Sequence, residues 1–323
     1  MYKYATAIGL DIGRTMIRTA LVRYDGKIFE NFSFPYKKQA DRDLLITYIV
    51  DALRFTRSLS VEYKINPLCV GIAAMGFIDY RTGTVIGPDQ GIKGWTNVPL
   101  GKILASNLGL PVFVDNDANL MALAETSFGI ATGNKNILFV ALRSGIGGAL
   151  IIDGKMFRGL NNAAGEIGQM SINYKGPESV KGVKGSFEFY ASSAALVKRF
   201  TDLAGRHGKK KNKVPVGIRA KDVFDLYYRG DPDAEEAVKE NAYIIGCGLA
   251  NLVSVFAPEI IVLGGGMSLA RDSYLDLVRK SVEENTLGYC SSDLKIERAS
   301  LGNTAAVMGA GLFALTCLDG KSI

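Results

Sequence analysis

Residues able to handle a hydroxyl proton stand at the end of an apolar run in the first half of the chain. Residues 115–119 read "DNDAN" and follow "LPVFV". A carboxylate such as Asp117 can accept a proton from a substrate hydroxyl, and an amide such as Asn116 can hydrogen-bond one. The same residues also predict a helix N-cap with an acidic first turn. Taken alone, the stretch favours the helix cap.

Three glycine-rich turns could bind phosphate. They follow apolar strand patterns and read "DIGRT" at 11–15, "SGIGG" at 144–148 and "GGG" at 264–266. Glycine permits positive φ and leaves no side chain in the way, so backbone N–H groups can approach a polyphosphate. A single turn of this kind is weak support for a nucleotide site. For 264–266 the alternative is a tight strand-to-helix connection.

The elements that would position these residues repeat along the chain. A strand, a glycine-rich turn, a second strand and a "DGK" turn occupy 6–27 and recur over 136–155, which predicts two related halves. We place the break between the halves near 116–133, with the last helix returning to the first half. Periodicity and caps predict helices over 41–57, up to a stop at Gly109, from Asp231 and Pro232 towards Pro258, and over about 304–318.

Composition argues against a membrane protein. The sequence is 48% hydrophobic and 22% charged, as in ordinary globular proteins, and no apolar run approaches the roughly 18 residues of a membrane helix. The N-terminus lacks the features of a signal peptide. We therefore expect a cytoplasmic protein that does not associate with membranes.

The cysteines and the clustered basic residues do not predict a disulfide, metal or nucleic-acid site. Cys69, Cys247, Cys290 and Cys317 are widely scattered, which predicts reduced, buried thiols rather than disulfides or a local metal site. The formal net charge is +6, and the lysines of 209–213 lie close to His207, the only histidine. Because no aromatic residues are interleaved, this stretch predicts a solvated loop and no nucleic-acid partner.

Seven ordered motifs together resemble the ROK (repressor, ORF, kinase) family of sugar kinases, over nearly the whole chain. The resemblance implies an α/β, two-domain actin-like ATPase (ribonuclease H-like) fold with a duplicated mixed-sheet core. It implies a smaller lobe over 1–118, joined by the C-terminal helix 304–323, and a larger lobe over 119–303. The motifs are "GLDIGRTMIRTALV", "GWTNVPL", "LPVFVDNDAN", "SGIGGALIIDGK", "AAGEIGQ", "FEFYAS" and "IVLGGGMS".

The resemblance also implies roles for individual residues, with Asp117 as the catalytic base. The implied sugar-binding residues are Gly76, Asn116, Glu166, Gln169 and Glu188. The implied ATP- and Mg²⁺-binding residues are Asp11, Gly13, Thr15, Ser144, Gly145, Gly147, Gly148, Gly264, Gly265 and Gly266.

The sequence departs from the family at its zinc site. In the family that site consists of one histidine and three cysteines, whereas Gln169, Ser179, Lys181 and Ser186 occupy those positions here. An amide, two hydroxyls and an ammonium cannot form a soft tetrahedral site, so we expect no zinc. Gln169 can still donate to and accept from a sugar hydroxyl.

Arginine replaces a family glycine in both phosphate turns, at Arg14 and Arg143. If these positions required left-handed backbone, arginine would cost about 1–2 kcal/mol. Three alternatives stay open: the arginines point outward or pair with carboxylates, at least one contacts phosphate, or they weaken nucleotide binding.

The function expected from the resemblance is ATP- and Mg²⁺-dependent phosphorylation of a hexose or N-acetylhexosamine hydroxyl, in a cleft that closes on its substrates. The alternative is a catalytically weakened, sugar-binding regulatory protein on the same scaffold. A DNA-binding repressor would need a helix-turn-helix domain before Gly9, and only a few residues precede it. We expect a homodimer, as is common in the family.

Overall fold

Two five-stranded sheets with the same strand order form the framework of the protein. The structure is a computed structural model that describes residues 4–37, 39–87, 91–179, 182–206 and 217–320. The strands of the described residues are β1 (Thr6–Ile12), β2 (Met16–Arg23), β3 (Ile28–Pro35), β4 (Val70–Ala74), β5 (Phe77–Asp79), β6 (Thr84–Gly87), β7 (Val112–Asn116), β8 (Ile137–Leu142), β9 (Ile146–Ile152), β10 (Lys155–Phe157), β11 (Ile260–Gly264) and β12 (Lys295–Arg298).

Helices connect and cover these strands. Helix α10 is apolar on every side and buried over residues 305–315, as expected of a helix enclosed by its surroundings. The α-helices of the described residues are α1 (Arg42–Ser60), α2 (Leu100–Leu108), α3 (Asp117–Phe128), α4 (Phe187–Ala191), α5 (Ser193–Arg206), α6 (Ala220–Tyr227), α7 (Pro232–Phe256), α8 (Asp272–Glu284), α9 (Gly288–Ser291) and α10 (Ala305–Leu318).

The first sheet has the order β3-β2-β1-β4-β7, with β1 antiparallel to β2 and parallel to β4. Every residue of β1 and β4 is buried, which is typical of parallel strands covered on both faces. A Cβ at Gly9 would collide with the carbonyl oxygen of Val307, and one at Gly71 with that of Ala310. These glycines therefore let α10 pack closely against the sheet.

The second sheet has the order β10-β9-β8-β11-β12, and β11 is parallel to both of its neighbours. Its hairpin turns at Asp153 and Gly154, whose φ angles of 52° and 75° suit a type I′ turn. In both sheets a three-strand meander is followed by two further strands, so the predicted duplication of a mixed-sheet core is confirmed.

Predicted helix boundaries also hold. The side chain of Asp231 accepts hydrogen bonds from the backbone N–H groups of Asp233 and Ala234 at 3.0 and 3.1 Å, and Pro232 opens α7. Gly109 ends α2 with a φ of 63°, the left-handed conformation that glycine adopts at little cost.

The chain folds into two compact units. The first contains residues 1–133, 150–164 and 300–323, and the second contains 134–149 and 165–299. Helix α3, which contains position 118, lies in the first unit and packs against α10. Within the described ranges, no helix is long and apolar enough to cross a membrane.

The four cysteines and the basic stretch around His207 were also subjects of sequence predictions. All four cysteines are free thiols, but only Cys69 is buried, and Cys247, Cys290 and Cys317 are half-buried. The prediction that all four are buried is therefore wrong, because three lie near helix surfaces or ends. His207, the lysines of 209–213 and Lys181 lie outside the described residues.

Candidate active site

The predicted base lies at the first turn of α3. Asn116 is the N-cap, and its Oδ1 accepts from the backbone N–H groups of Ala118 at 2.8 Å and Asn119 at 3.3 Å. The half-buried Asp117 is the first helical residue, and its Oδ1 accepts from Ala118 N at 3.0 Å. The helix-cap interpretation thus holds for Asn116. The carboxylate of Asp117 lies at the positive end of the helix dipole.

The Asn116 amide also binds the backbone of a neighbouring loop. Its Nδ2 donates to the carbonyl oxygen of Gly76 at 3.0 Å, and Gly76 has a φ of 95°. The structure therefore brings together two of the predicted sugar-binding positions. Since one N–H and the oxygen of the amide are used locally, at most one amide N–H of Asn116 remains for a sugar hydroxyl.

Asp115 is a buried carboxylate close to Asp117 in the chain, and the sequence predicted no role for it. It is 1% exposed, and its Oδ1 accepts from Asn116 N at 2.7 Å and from Asn119 Nδ2 at 3.3 Å. Its Oδ2 lies 2.8 Å from Nη1 of Arg158, a close ion pair without hydrogen-bond alignment. A buried carboxylate is costly without a cation or hydrogen-bond donors. The position of Asp115 at the end of an apolar strand could therefore have indicated from the sequence that it has a charged partner.

The ionisation of Asp115 depends on competing effects. Burial raises the pKa of Asp115 above the usual range of a carboxyl, because the charged form loses its hydration. The nearby Arg158 charge and the N–H donors of Asn116 and Asn119 oppose this rise. The charge of Asp115 therefore depends on Arg158.

The first glycine-rich turn joins β1 to β2. Asp11, 5% exposed, is the cross-strand partner of Arg18, whose Nη1 lies 3.2 Å from Oδ2 of Asp11. Gly13 donates its N–H to Met16 O at 2.9 Å, and its carbonyl accepts from the hydroxyl of Tyr36 at 2.6 Å. The turn is thus internally braced while Thr15 is exposed.

Arginine at position 14 does not strain this turn. Arg14 is exposed, and it is not among the described non-glycine residues with positive φ. The same holds for Arg143, so the expected left-handed cost does not arise at either position. The positive charge of Arg14 partly opposes the burial that raises the pKa of Tyr36.

The second glycine-rich turn packs against two predicted sugar-binding segments. The backbone N–H of Ile146 donates to Oε2 of Glu188 at 2.8 Å, and a Cβ at Gly145 would collide with that oxygen. A Cβ at Gly148 would lie 2.7 Å from Cδ1 of Ile167. Gly13, Gly145, Gly147 and Gly148 are not among the glycines with positive φ. A side chain at Gly145 or Gly148 would therefore meet a close neighbour, whereas the backbone conformation of neither residue requires glycine.

Gln169 has an unsatisfied buried amide. It ends a one-turn 3₁₀-helix (Ile167–Gln169) that begins after the exposed Glu166. Neither Oε1 nor Nε2 of Gln169 has solvent exposure or a hydrogen-bond partner among the described residues. A buried amide without partners is costly, so this one is suited to receive a ligand.

Hydrogen bonds connect the described residues of the segment that aligns with the zinc site of the family. Ser186 Oγ accepts from the backbone N–H of Phe189, and Ser179 N donates to Val183 O at 2.8 Å. Gly185 N donates to Pro177 O at 2.9 Å. The described part of the chain contains no cluster of histidine, cysteine or carboxylate side chains that could hold a metal.

A pocket of about 720 Å³ opens within the second unit. This volume is within the usual range for ligand sites, roughly 300–1,000 Å³. Four cations and one carboxylate line it together with aromatic and apolar groups, which favours an anionic ligand with a flat apolar part. The lining includes Arg143, Ser144, Phe224, Tyr228, Gly266 and Arg271.

The three consecutive glycines after β11 have different environments. A Cβ at Gly264 would lie 2.7 Å from Cζ of Phe139, so this glycine serves packing within the sheet. Gly265 has a φ of 88° and approaches the carbonyl of Leu142. Only Gly266 of the three lines the pocket, where a Cβ would meet nothing within 4 Å.

Comparison with known proteins identifies relatives over almost the whole chain. The model of the ROK family matches residues 7–316. A glucokinase of Halalkalibacterium halodurans is 33% identical over 309 residues, which are 94% of this chain and 93% of that enzyme. A xylose repressor of Caldicellulosiruptor bescii is 30% identical over 307 residues, covering 94% of this chain and 76% of the repressor.

Solved structures show the same similarity. The crystal structure of a ROK family glucokinase from Streptomyces griseus in complex with glucose and AMPPNP has a TM-score of 0.82 and 31% identity, covering 97% of this chain and 100% of that one. The predicted actin-like fold is therefore confirmed. Sugar kinases and a repressor both occur among the relatives.

Proposed function

The chain belongs to the ROK family, and from this premise we propose that it transfers the γ-phosphoryl group of ATP to a hydroxyl of a hexose or N-acetylhexosamine. One observation carries the proposal: Asp117 presents a half-buried carboxylate at the start of α3, on a turn that Asn116 and Asp115 hold by hydrogen bonds. The glucokinase relatives support a sugar as acceptor.

Asp117 would act as the general base. Phosphoryl transfer has a loose transition state, so the attacking hydroxyl needs aiming more than strong deprotonation. The carboxylate accepts a hydrogen bond from the sugar hydroxyl and takes its proton late in the transfer. Because Asp117 Oδ1 already binds Ala118 N, its orientation is set before the sugar arrives.

The pocket of the second unit fits a nucleotide. Tyr228 and Phe224 form an aromatic wall that a base would contact: their ring centroids lie 6.3 Å apart with an interplanar angle of 19°, and the guanidinium carbon of Arg271 lies 4.3 Å from the centroid of the Tyr228 ring. Ser144, Gly145, Gly147 and Gly148 would hold phosphates, whereas the N–H of Ile146 is already donated to Glu188. Arg143 lines this pocket, and the pocket still has a volume of about 720 Å³. Because the arginine leaves this space open, a contact with phosphate is favoured over a blocked site.

Asp11 fits the role of a Mg²⁺ ligand or of an acceptor for its bound water. Mg²⁺ is commonly held by one or two carboxylates, substrate phosphates and several waters, so one carboxylate suffices. The ion would neutralise charge on the donor phosphates. Arg18, 3.2 Å from Asp11, orients the carboxylate and shares its charge.

The acceptor residues would be Glu166, Gln169 and Glu188, with Gly76 and Asn116 shaping the loop beside Asp117. Gln169 gives the sharpest support, because its buried amide lacks a partner among the described residues. Sugar hydroxyls both donate and accept, so two neighbouring hydroxyls can satisfy Oε1 and Nε2.

An ADP-release assay over a panel of hexoses and N-acetylhexosamines, with ATP and Mg²⁺, tests the proposal. We expect turnover with at least one sugar, and a loss of about 10²-fold or more in kcat for Asp117→Asn, which keeps the shape and removes the base. Asp41→Asn is the matched control, because Asp41 is another carboxylate at a helix N-terminus, capping α1.

A sugar-binding regulatory protein is the second candidate, supported by the 30% identity to a xylose repressor. Calorimetry with the same sugars separates the two. Sugar binding without turnover, together with restored ATP binding in an Arg14→Gly, Arg143→Gly double variant, would favour the regulator.

A further inference from the structure

A buried ion pair lies next to the turn that carries Asp117. The side chains of Asp115 and Arg158 are 2% and 12% exposed, and Oδ2 of Asp115 lies 2.8 Å from Nη1 of Arg158. Arg158 directly follows β10. Its guanidinium carbon also lies 3.9 Å from the centroid of the Tyr80 ring. Contacts with a carboxylate and a ring restrict the guanidinium to one orientation.

The carboxylate of Asp115 connects this cation to the backbone of the turn. While Oδ2 faces Arg158, Oδ1 accepts from the backbone N–H of Asn116 at 2.7 Å. Asn116 in turn caps α3 through Ala118 N and binds Gly76 O. A continuous set of polar contacts therefore runs from Arg158 to the residue immediately before Asp117.

We propose that Arg158 is a positioning residue for Asp117: by holding the Asp115 carboxylate ionised and in one orientation, it fixes the turn from which Asp117 reaches its substrate. This role rests on the proposed kinase function. Arg158 itself need not touch a substrate, because Asp115 and Asn116 transmit its effect.

Loss of the cation would change the carboxylate. A buried carboxylate without its cation takes up a proton or moves towards other donors. The neighbours left to it are the amide of Asn119, the thiol of Cys317 and the Tyr80 ring next to Arg158. None of them supplies a positive charge, so the bond to Asn116 N weakens and the turn loosens.

Kinetics of three variants test the role. Arg158→Met keeps the length of the side chain without its charge, Arg158→Lys keeps the charge, and Arg81→Met is the control. Arg81 is exposed, and its guanidinium carbon lies 5.8 Å from the same Tyr80 ring centroid. We expect kcat to fall roughly 10- to 100-fold in Arg158→Met, as when a catalytic group is misplaced. The sugar KM stays within about twofold, since the proposed acceptor residues Glu166, Gln169 and Glu188 lie outside the loosened turn, and Arg158→Lys recovers part of kcat.

Amide hydrogen exchange gives a readout that does not need activity. Peptides covering 112–120 should exchange faster in Arg158→Met than in the parent and in Arg81→Met, with exchange in α10 unchanged. If Arg158→Met fails to fold, Arg158→Gln, a neutral residue that retains hydrogen bonding, undergoes the same measurements. If the parent phosphorylates no sugar, the proposed function fails, while exchange still tests the positioning. Unchanged kcat and unchanged exchange in a folded neutral variant overturn the inference.

Discussion

Oε2 of Glu188 accepts a hydrogen bond from the backbone N–H of Ile146 at 2.8 Å, so a carboxylate expected to bind sugar also holds the glycine-rich turn expected to bind phosphate. Both residues lie in the second unit. A Cβ at Gly145 would collide with the same oxygen, which shows how closely the α4 carboxylate approaches this turn.

Glu188→Gln should weaken the use of both substrates. The new amide has two orientations. If its NH₂ faces the N–H of Ile146, the hydrogen bond to the turn is lost; if its oxygen faces that N–H, the NH₂ group replaces a carboxylate oxygen towards the sugar. We expect KM for sugar and KM for ATP each to rise about tenfold, the cost of a charge-assisted hydrogen bond. Glu178→Gln, an exposed carboxylate in the segment before α4, is the control. A change in the sugar KM alone would contradict the coupling.

Gln169→Met should change stability and sugar affinity in opposite directions. The buried amide has no partner among the described residues, so replacing it with an apolar side chain of similar size should raise the free energy of unfolding by about 1 kcal/mol. Sugar affinity should fall about tenfold or more. Urea unfolding and titration calorimetry measure the two effects, and lower stability with unchanged affinity would show that the amide serves packing.

Arg143→Gly and Arg14→Gly should differ in their effect on ATP. Arg143 lines the pocket of the second unit, whereas Arg14 is an exposed residue of the other turn. We expect Arg143→Gly to weaken ATP binding roughly tenfold, as expected for a lost guanidinium–phosphate contact, and Arg14→Gly to change it less than threefold. Tighter ATP binding by Arg143→Gly would instead mean that the arginine obstructs the pocket.

Arg158→Met should show a stability defect that becomes smaller as pH falls. Burial raises the pKa of Asp115, and removing Arg158 removes an effect that lowers it. In the variant, Asp115 then binds a proton more tightly in the folded state than in the unfolded state. As pH decreases from 8 to 5, the free energy of unfolding of the variant therefore rises relative to that of the parent. Urea unfolding across this range measures the difference. In Asp115→Asn, Arg158→Met, which lacks the titrating group, this dependence should vanish.

Much of the fold was predictable because helix caps, turn residues and apolar strand patterns in the sequence agree with the elements that form in the tertiary structure. Asp231 with Pro232 opens α7, and Gly109 ends α2, at the predicted positions. The repeated strand-turn-strand pattern predicted the duplicated core. The packing of α3 against α10 in the first unit was less predictable, because it joins residues nearly two hundred positions apart in sequence.

The sequence by itself determined the chemistry available: a carboxylate after a strand, three glycine-rich turns and the loss of zinc ligands. Only the tertiary structure decided how these groups are held. Arg158 is far from Asp115 in sequence, but its Nη1 lies 2.8 Å from Oδ2 of Asp115, and a Cβ at Gly145 would collide with Glu188 although the φ angle of Gly145 does not require glycine. The physical reason is that the pairing of a buried charge and the close approach of two segments depend on which distant parts of the chain come into contact. The order of residue types along the chain does not show which parts these are.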